Sequence, residues 1–271
     1  MSIDLILAGC GNMGYAMLAG WVKAGRILPE RVLVVEPNDG LRARSGALGV
    51  ATCPNSAAIP ANCAPKAVVF AVKPQVMKDV VPPYSCFAAG GTAYVSIAAG
   101  TPISVFETLL GADVPVIRCM PNTPAAIGKG MLVLFANPNV SADQDTFIRD
   151  LLSANGALAT LENEDQMDAV TAVSGSGPAY VFHFIEALTA AAQAAGLPSD
   201  VAKLLAMQTI YGAGALAAES DEEPGRLREN VTSPNGTTAA ALDVLMQDDR
   251  LKTLMIQAVE AAKQRSIELR G

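Results

Sequence analysis

The chain has 271 residues, 51% hydrophobic and 17% charged, which is enough apolar length for two domains with sizeable cores and excludes a disordered protein. Its formal net charge of −7, with no basic run, excludes a general nucleic-acid or anionic-membrane surface, so an anionic ligand has to be held locally. Five cysteines (Cys10, Cys53, Cys63, Cys86 and Cys119) are odd in number and lack metal-ligand spacing, pointing to reduced thiols in the cytoplasm and to no bound metal.

Residues 4–8 read as a buried strand. Leu7-Ala8-Gly9-Cys10 looks like a lipoprotein cleavage box, but no basic segment precedes it and the apolar run is too short. Gly9-Cys10-Gly11-Asn12-Met13-Gly14 follows the strand directly and opens a helix, the context in which GxGxxG becomes a dinucleotide signature. Gly9 allows the tight turn, Gly11 lets the backbone approach a pyrophosphate, and Gly14 lets helix and strand pack closely. A second strand, 32–36, ends on Glu36, where an acid bonds the adenosine ribose hydroxyls and repels a 2′-phosphate, a lean to NADH. Arg42 and Arg44 on the next helix are within reach of such a phosphate and pull the other way.

Further strands are expected at 68–72, 93–97, 116–120, 131–135 and 158–161, the last two flanking a helix over 142–154. Three strand ends share the carboxyl edge, where sheets of this kind bind ligands. Ala71-Val72-Lys73-Pro74 offers Lys73 as a phosphate contact or a plain surface lysine. Ser96-Ile97-Ala98-Ala99-Gly100 leaves room for a flat ring against the backbone, although a close-packed strand end predicts the same residues. Arg118-Cys119-Met120-Pro121-Asn122-Thr123-Pro124 completes the row. The uncharged stretch 80–106 is broken by Pro82-Pro83, Gly90-Gly91 and Pro102 and cannot be a membrane helix, so a soluble protein is expected.

Beyond Glu164 the strands stop, and helices are expected at 164–173, 178–195, 200–219, 238–247 and 252–269. The reading is an α/β doubly wound sheet over 1–162 followed by an all-α domain over 163–271. Alanine and methionine with few charges across 179–218 leave apolar surface on more than one helix face, which calls for a second subunit. Ser174-Gly175-Ser176-Gly177-Pro178-Ala179-Tyr180 is a small-residue loop opening a helix, suited to close approach of a ring or to an ordinary connection. His183, the only histidine, has no Asp or Ser at suggestive spacing and is read as structural. Asp221-Glu222-Glu223 reads as a solvated turn. Asn230-Val231-Thr232-Ser233-Pro234-Asn235-Gly236-Thr237-Thr238 gathers hydroxyls and a helix start without charge, where a carboxylate can dock on unpaired N–H groups.

Through the glycine loop, Ala71–Pro74, Met120–Pro124, Ser174–Tyr180 and Val231–Thr238, the chain resembles the pyrroline-5-carboxylate reductases over essentially its whole length. The family shows two glycines after the proline of the last motif; here the first is Asn235, which keeps a residue able to adopt left-handed geometry. The resemblance implies a Rossmann domain and a dimerisation domain that interlocks with its neighbour, with dimers assembling to a decamer. It implies NAD(P)H as reductant, NADPH in many members, and 1-pyrroline-5-carboxylate as substrate. The residues themselves offer the N–H groups of Gly236, Thr237 and Thr238, with the Ser233 hydroxyl, to the substrate carboxylate; the resemblance adds Thr238 bonding the ring nitrogen and Glu164 lining the proline site, where a helix-start acid is the other reading. The resemblance places the cofactor on Gly9, Gly11, Asn12, Met13, Gly14, Glu36, Asn55, Ala71–Pro74, Ala98 and, from the partner subunit, on a residue equivalent to Asn230. Two other readings compete. A β-hydroxyacid dehydrogenase needs a lysine on an early helix of its second domain, and 178–195 contains none; a non-catalytic nucleotide sensor would show no turnover.

Overall fold

In the computed structural model the described residues are 2–269; Met1, Arg270 and Gly271, at the outer limits of the two expected domains, lie outside them. The chain divides into two compact units, Met1–Ser176 with Ala262–Gly271, and Gly177–Ala261.

In the first unit, aliphatic and β-branched runs form β1 Leu5–Ala8, β2 Val32–Val35, β3 Ala51–Cys53, β4 Ala67–Phe70, β5 Ala93–Ser96, β6 Val116–Met120, β7 Gly130–Ala136 and β8 Gly156–Thr160. They make one sheet in the order β3-β2-β1-β4-β5-β6-β7-β8, parallel throughout except between β6 and β7. The first six strands have the order of a dinucleotide-binding sheet, which brings the carboxyl ends of β1, β2, β4 and β5 to one edge. The inner strands are buried on both faces, which is why LILA, VLVV and AVVF are continuous apolar runs rather than alternating ones.

Helices α1 Asn12–Lys23, α2 Asp39–Gly46, α3 Met77–Val80, α4 Ile103–Leu110, α5 Ala142–Ser153 and α6 Met167–Val170 accompany the sheet. Period-two side-chain alternation sends Leu5 and Leu7 to one core with Met17, Trp21, Ile148 and Leu151. Ile6 and Ala8 go to the opposite core, around Phe70, Tyr84, Tyr94 and Phe106. There Phe70 meets Tyr84 edge-on at 5.3 Å, and the Tyr94 hydroxyl donates to the Tyr84 carbonyl at 2.8 Å.

The second unit carries α7 Gly177–Ala194, α8 Ser199–Glu219, α9 Pro224–Asn230, α10 Thr237–Met246 and all but the last turns of α11 Arg250–Glu268. Helices α7 and α8 pack together, yet Ala202 and Ala206 are the buried residues of α8 while Leu204 and Tyr211 are 67% and 71% exposed. Helix α8 has the length and composition of a membrane span; the same apolar character is what a subunit interface buries.

Three expectations differ from what is seen. β3 and α9 were not expected. The segment read as one helix over 164–173 is a 3-10 turn at Glu164–Gln166, then α6, then a π-helical turn at Thr171–Gly175. Residues 164–175 fall within the first compact unit, where β6 and its continuation hold them. Arg118 grips Glu164, Asn122 Nδ2 donates to the Ser174 carbonyl at 3.0 Å, and Met120 packs so close to Gly175 that a Cβ there would lie 2.5 Å from its Cε.

Candidate active site

The glycine loop is built by close approach. Gly9 has φ +87, and a Cβ on it would lie 2.5 Å from Val72 Cγ1 and 2.9 Å from the Ala71 carbonyl. A Cβ on Gly14 would lie 2.8 Å from the Gly9 carbonyl, so α1 seats against the strand edge only with glycine there. At Gly11, by contrast, no described atom beyond the adjoining chain lies within 4 Å of the Cβ position, leaving the N-terminus of α1 open to a ligand. Gly11 is the N-cap of α1 and makes no side-chain cap, Asn12 is its exposed first residue, and Met13 packs partly into the core.

A cavity of about 510 Å³ opens beside this loop. Of the expected cofactor residues, Gly9, Gly11, Glu36, Asn55, Ala71, Val72 and Lys73 line it. Pro74 and the loop after Ala98 lie instead by a smaller cavity of about 290 Å³, lined by Pro74, Gly100, Thr101 and Leu269 among others. Glu36 is buried, with Oε2 accepting from the Cys10 amide at 2.8 Å and Oε1 from the Asn38 amide at 3.0 Å. The carboxylate thus stands fixed at the cavity wall. Neither arginine lines the cavity. Arg42 donates to the Glu36 and Pro37 carbonyls at 2.8 Å and pairs with Asp39. Arg44 donates to the Cys10 and Gly11 carbonyls at 3.0 and 3.3 Å and lies 4.0 Å over the Tyr15 ring. Ser45 adds a bond to Cys10 Sγ, so α2 latches the glycine loop from outside. Burial pushes the Cys10 thiol up from its ordinary pKa, and the Ser45 bond partly offsets this. A glycine cradle, an open helix start and a fixed acid at the wall fit a nicotinamide dinucleotide.

In the second unit Ser233-Pro234-Asn235-Gly236 closes a turn, Gly236 N–H donating to the Ser233 carbonyl at 3.0 Å. Proline at the second position and Asn235 at φ 59 in the third is the type II arrangement. In this turn the Gly236 amide, one of the expected carboxylate donors, is held by the Ser233 carbonyl. Helix α10 starts at Thr237, one residue earlier than expected, with Gly236 as N-cap and no side chain capping it. The first-turn amides of Thr237, Thr238 and Ala239 are free donors among the described residues. Ser233 is exposed and Thr238 half-buried. Asn230 ends α9, and its Nδ2 donates to Glu222 at 2.8 Å.

Glu164 belongs to the first unit. Its Oε1 accepts from Arg118 Nη1 and from the Ile103 amide, both at 2.9 Å. Sequence reasoning named Arg118 in its row of strand ends but gave it no role, although an arginine inside the otherwise apolar strand VIRCM was a usable signal. His183 is exposed, with its Nδ1 3.1 Å from Glu186 Oε2.

Comparison with known proteins decides the family. The model for pyrroline-5-carboxylate reductase dimerisation matches residues 164–269, and that for NADP oxidoreductase, coenzyme F420-dependent, matches 3–100. A pyrroline-5-carboxylate reductase of Pseudomonas aeruginosa is 42% identical over 96% of this chain and 94% of its own. The chain belongs to the pyrroline-5-carboxylate reductases. The Escherichia coli reductase is 35% identical over 96% of both chains. Among solved structures, the Coxiella burnetii reductase matches with TM-score 0.93 at 34% identity, covering both chains fully. That from Plasmodium falciparum, with NADP bound, matches at 0.85 and 30%, covering 99% of this chain and 98% of its own. A 3-hydroxyisobutyrate dehydrogenase from Salmonella typhimurium, at 16% identity and TM-score 0.53, shares only the fold. The reductase is thus an NAD(P)H-dependent oxidoreductase that converts pyrroline-5-carboxylate to proline, a homo-oligomer acting on a small molecule.

Proposed function

We propose that the reductase holds its substrate without a charged side chain. The carboxylate docks on the first-turn amides of α10, from Thr237, Thr238 and Ala239, with the Ser233 hydroxyl beside them. The open, uncapped start of α10 is the observation that carries this reading, because unpaired N–H groups and the helix dipole favour an anion there. A lysine in that place would repel the protonated ring nitrogen, and an iminium is the better hydride acceptor. Thr238 bonds the ring nitrogen and holds the imine carbon in line. The cofactor, when bound, supplies the hydride. Alignment then provides much of the rate, and no general base is needed.

Gly9, Gly11, Asn12, Met13 and Gly14 cradle the pyrophosphate, Asn55 and Ala71–Pro74 line the adenosine side, Ala98 seats the ring, and Asn230 reaches the cofactor of the partner subunit. Glu36 selects NADH over NADPH, supported by its fixed carboxylate and by the absence of an arginine from the cavity lining. Assembly beyond the dimer to a decamer is supported by the apolar surface on α7 and α8. The free thiols, with Cys86 exposed, support a cytoplasmic location.

The deciding experiment is Thr238→Ala, assayed by steady-state turnover with pyrroline-5-carboxylate and by cofactor titration. kcat/KM for the imine falls at least tenfold with cofactor affinity unchanged; undiminished turnover removes the role.

A further inference from the structure

Arg118 sits mid-strand in β6, 1% exposed, between Ser96 of β5 and Phe135 of β7. Its partner Glu164 keeps 23% of its side chain exposed, so the arginine gives up its hydration for a pair that is only partly buried, a poor way to stabilise a core. Moreover, Arg118 Nη2 is buried without a hydrogen-bond partner, a cost that stability alone does not explain. What the pair does accomplish is geometric. Glu164 Oε1 receives both Arg118 Nη1 and the amide of Ile103, the first residue of α4. The N-cap of α4 is Pro102, which has no side-chain acceptor, so Glu164 caps the helix from 61 residues away.

The six residues between β5 and α4 are the loop that seats the ring at Ala98. Ser96 Oγ accepts the Ala98 amide at 3.3 Å at one end, and Glu164 takes the Ile103 amide at the other. In the middle, Gly100 at φ +70 lies against the Leu269 carbonyl, 3.4 Å from where its Cβ would be.

We infer that the Arg118–Glu164 pair is a positioning device that fixes the height of the loop over residues 97–103, and with it the plane in which the nicotinamide ring must lie. Glu164 then acts through the loop rather than by touching proline. The inference rests on the ring seat at Ala98 proposed above. A fixed seat matters because a misplacement of about 1 Å between hydride donor and acceptor costs on the order of a hundredfold in rate.

Three variants test it: Glu164→Gln, which removes the charge at nearly constant volume, Arg118→Met and Arg118→Lys. Amide hydrogen exchange on the protein without cofactor reads the loop directly: Glu164→Gln and Arg118→Met speed exchange at Ile103 at least tenfold, and Arg118→Lys restores most of the protection. With cofactor deuterated at the transferring C4 position, kcat falls roughly tenfold in the first two and the isotope effect on kcat rises as hydride transfer becomes limiting. The isotope effect and the exchange rate at Ile103, unlike kcat itself, do not depend on the fraction of enzyme that is active. Unchanged exchange at Ile103, or a lower kcat with an unchanged isotope effect, overturns the inference. Ala98→Val tests the seat separately: no change in cofactor KM or isotope effect there overturns the seat, and the inference with it.

Discussion

Glu36→Gln tests cofactor choice at a single atom. The substitution keeps the shape of a side chain whose two oxygens accept from the Cys10 and Asn38 amides at 2.8 and 3.0 Å, but removes the charge and turns one acceptor into a donor. One charge-assisted bond is lost, worth about 1.5–3 kcal/mol, so Tm falls by roughly 5 °C. The effect on selectivity is larger. A 2′-phosphate replacing a hydroxyl that the carboxylate bonds would stand about 5 Å from it, and two like unit charges at that distance repel by about 3 kcal/mol at an effective dielectric of about 20. Salt and partial solvation reduce this, leaving roughly one to two decades in kcat/KM. Measured as the NADPH-to-NADH ratio of kcat/KM at fixed pyrroline-5-carboxylate, the wild type is below one and Glu36→Gln raises the ratio ten- to a hundredfold. A wild type that uses NADPH as well as NADH, or a variant with an unchanged ratio, refutes the reasoning.

Gly156, at φ +148, pairs with Gly130 across β7 and β8, and a Cβ would overlap the Gly130 carbonyl and nitrogen. Gly156→Ala costs about 3 kcal/mol or more, a drop of roughly 10 °C in thermal melts; a shift under about 3 °C contradicts the packing. Full burial pushes the Cys119 thiol up to about 12. Above about pH 9 the unfolded thiol loses its proton while the native one keeps it, so the native state binds more protons. Stability is therefore full below about pH 9 and declines as pH rises toward about 12. Cys119→Ala flattens that decline in urea unfolding at about pH 8 and 10.5, and an identical slope in both proteins speaks against it. Light scattering at micromolar concentration reads a mass of at least two chains, and a clean monomer is incompatible with the apolar faces of α7 and α8 acting as an interface.

How much was legible in the sequence depended on how local the determinant is. The glycine loop, seven strands and the long helices follow from periodicity and flanking residues, and their ends agree within a residue or two. β3 escaped because Ala51–Cys53 is three residues at the sheet edge with almost no apolar pattern. α9 escaped because PGRLREN is charged and buries nothing. The π-helical turn at Thr171–Gly175 is tied to a methionine some fifty positions earlier in the chain, and Glu164 to an arginine 46 residues away. Even inside the Ser233–Thr238 motif, the use of the Gly236 amide depends on Asn235 turning left-handed, a conformation that asparagine permits without requiring.

The dinucleotide unit is discontinuous: Asp168 is buried, and the Ser266 hydroxyl donates to it at 2.8 Å across 98 residues. During translation the sheet can form long before that partner exists. At roughly 5–20 residues per second, the nascent sheet waits on the order of five to twenty seconds for Ser266 to be synthesised. Through that interval the loop around Gly100 lacks Leu269, and the Ser266 bond to Asp168 is still to be made. Completion of the first unit therefore waits on the tail end of a helix that mostly belongs to the other unit, so the last residues made finish a structure begun by the first.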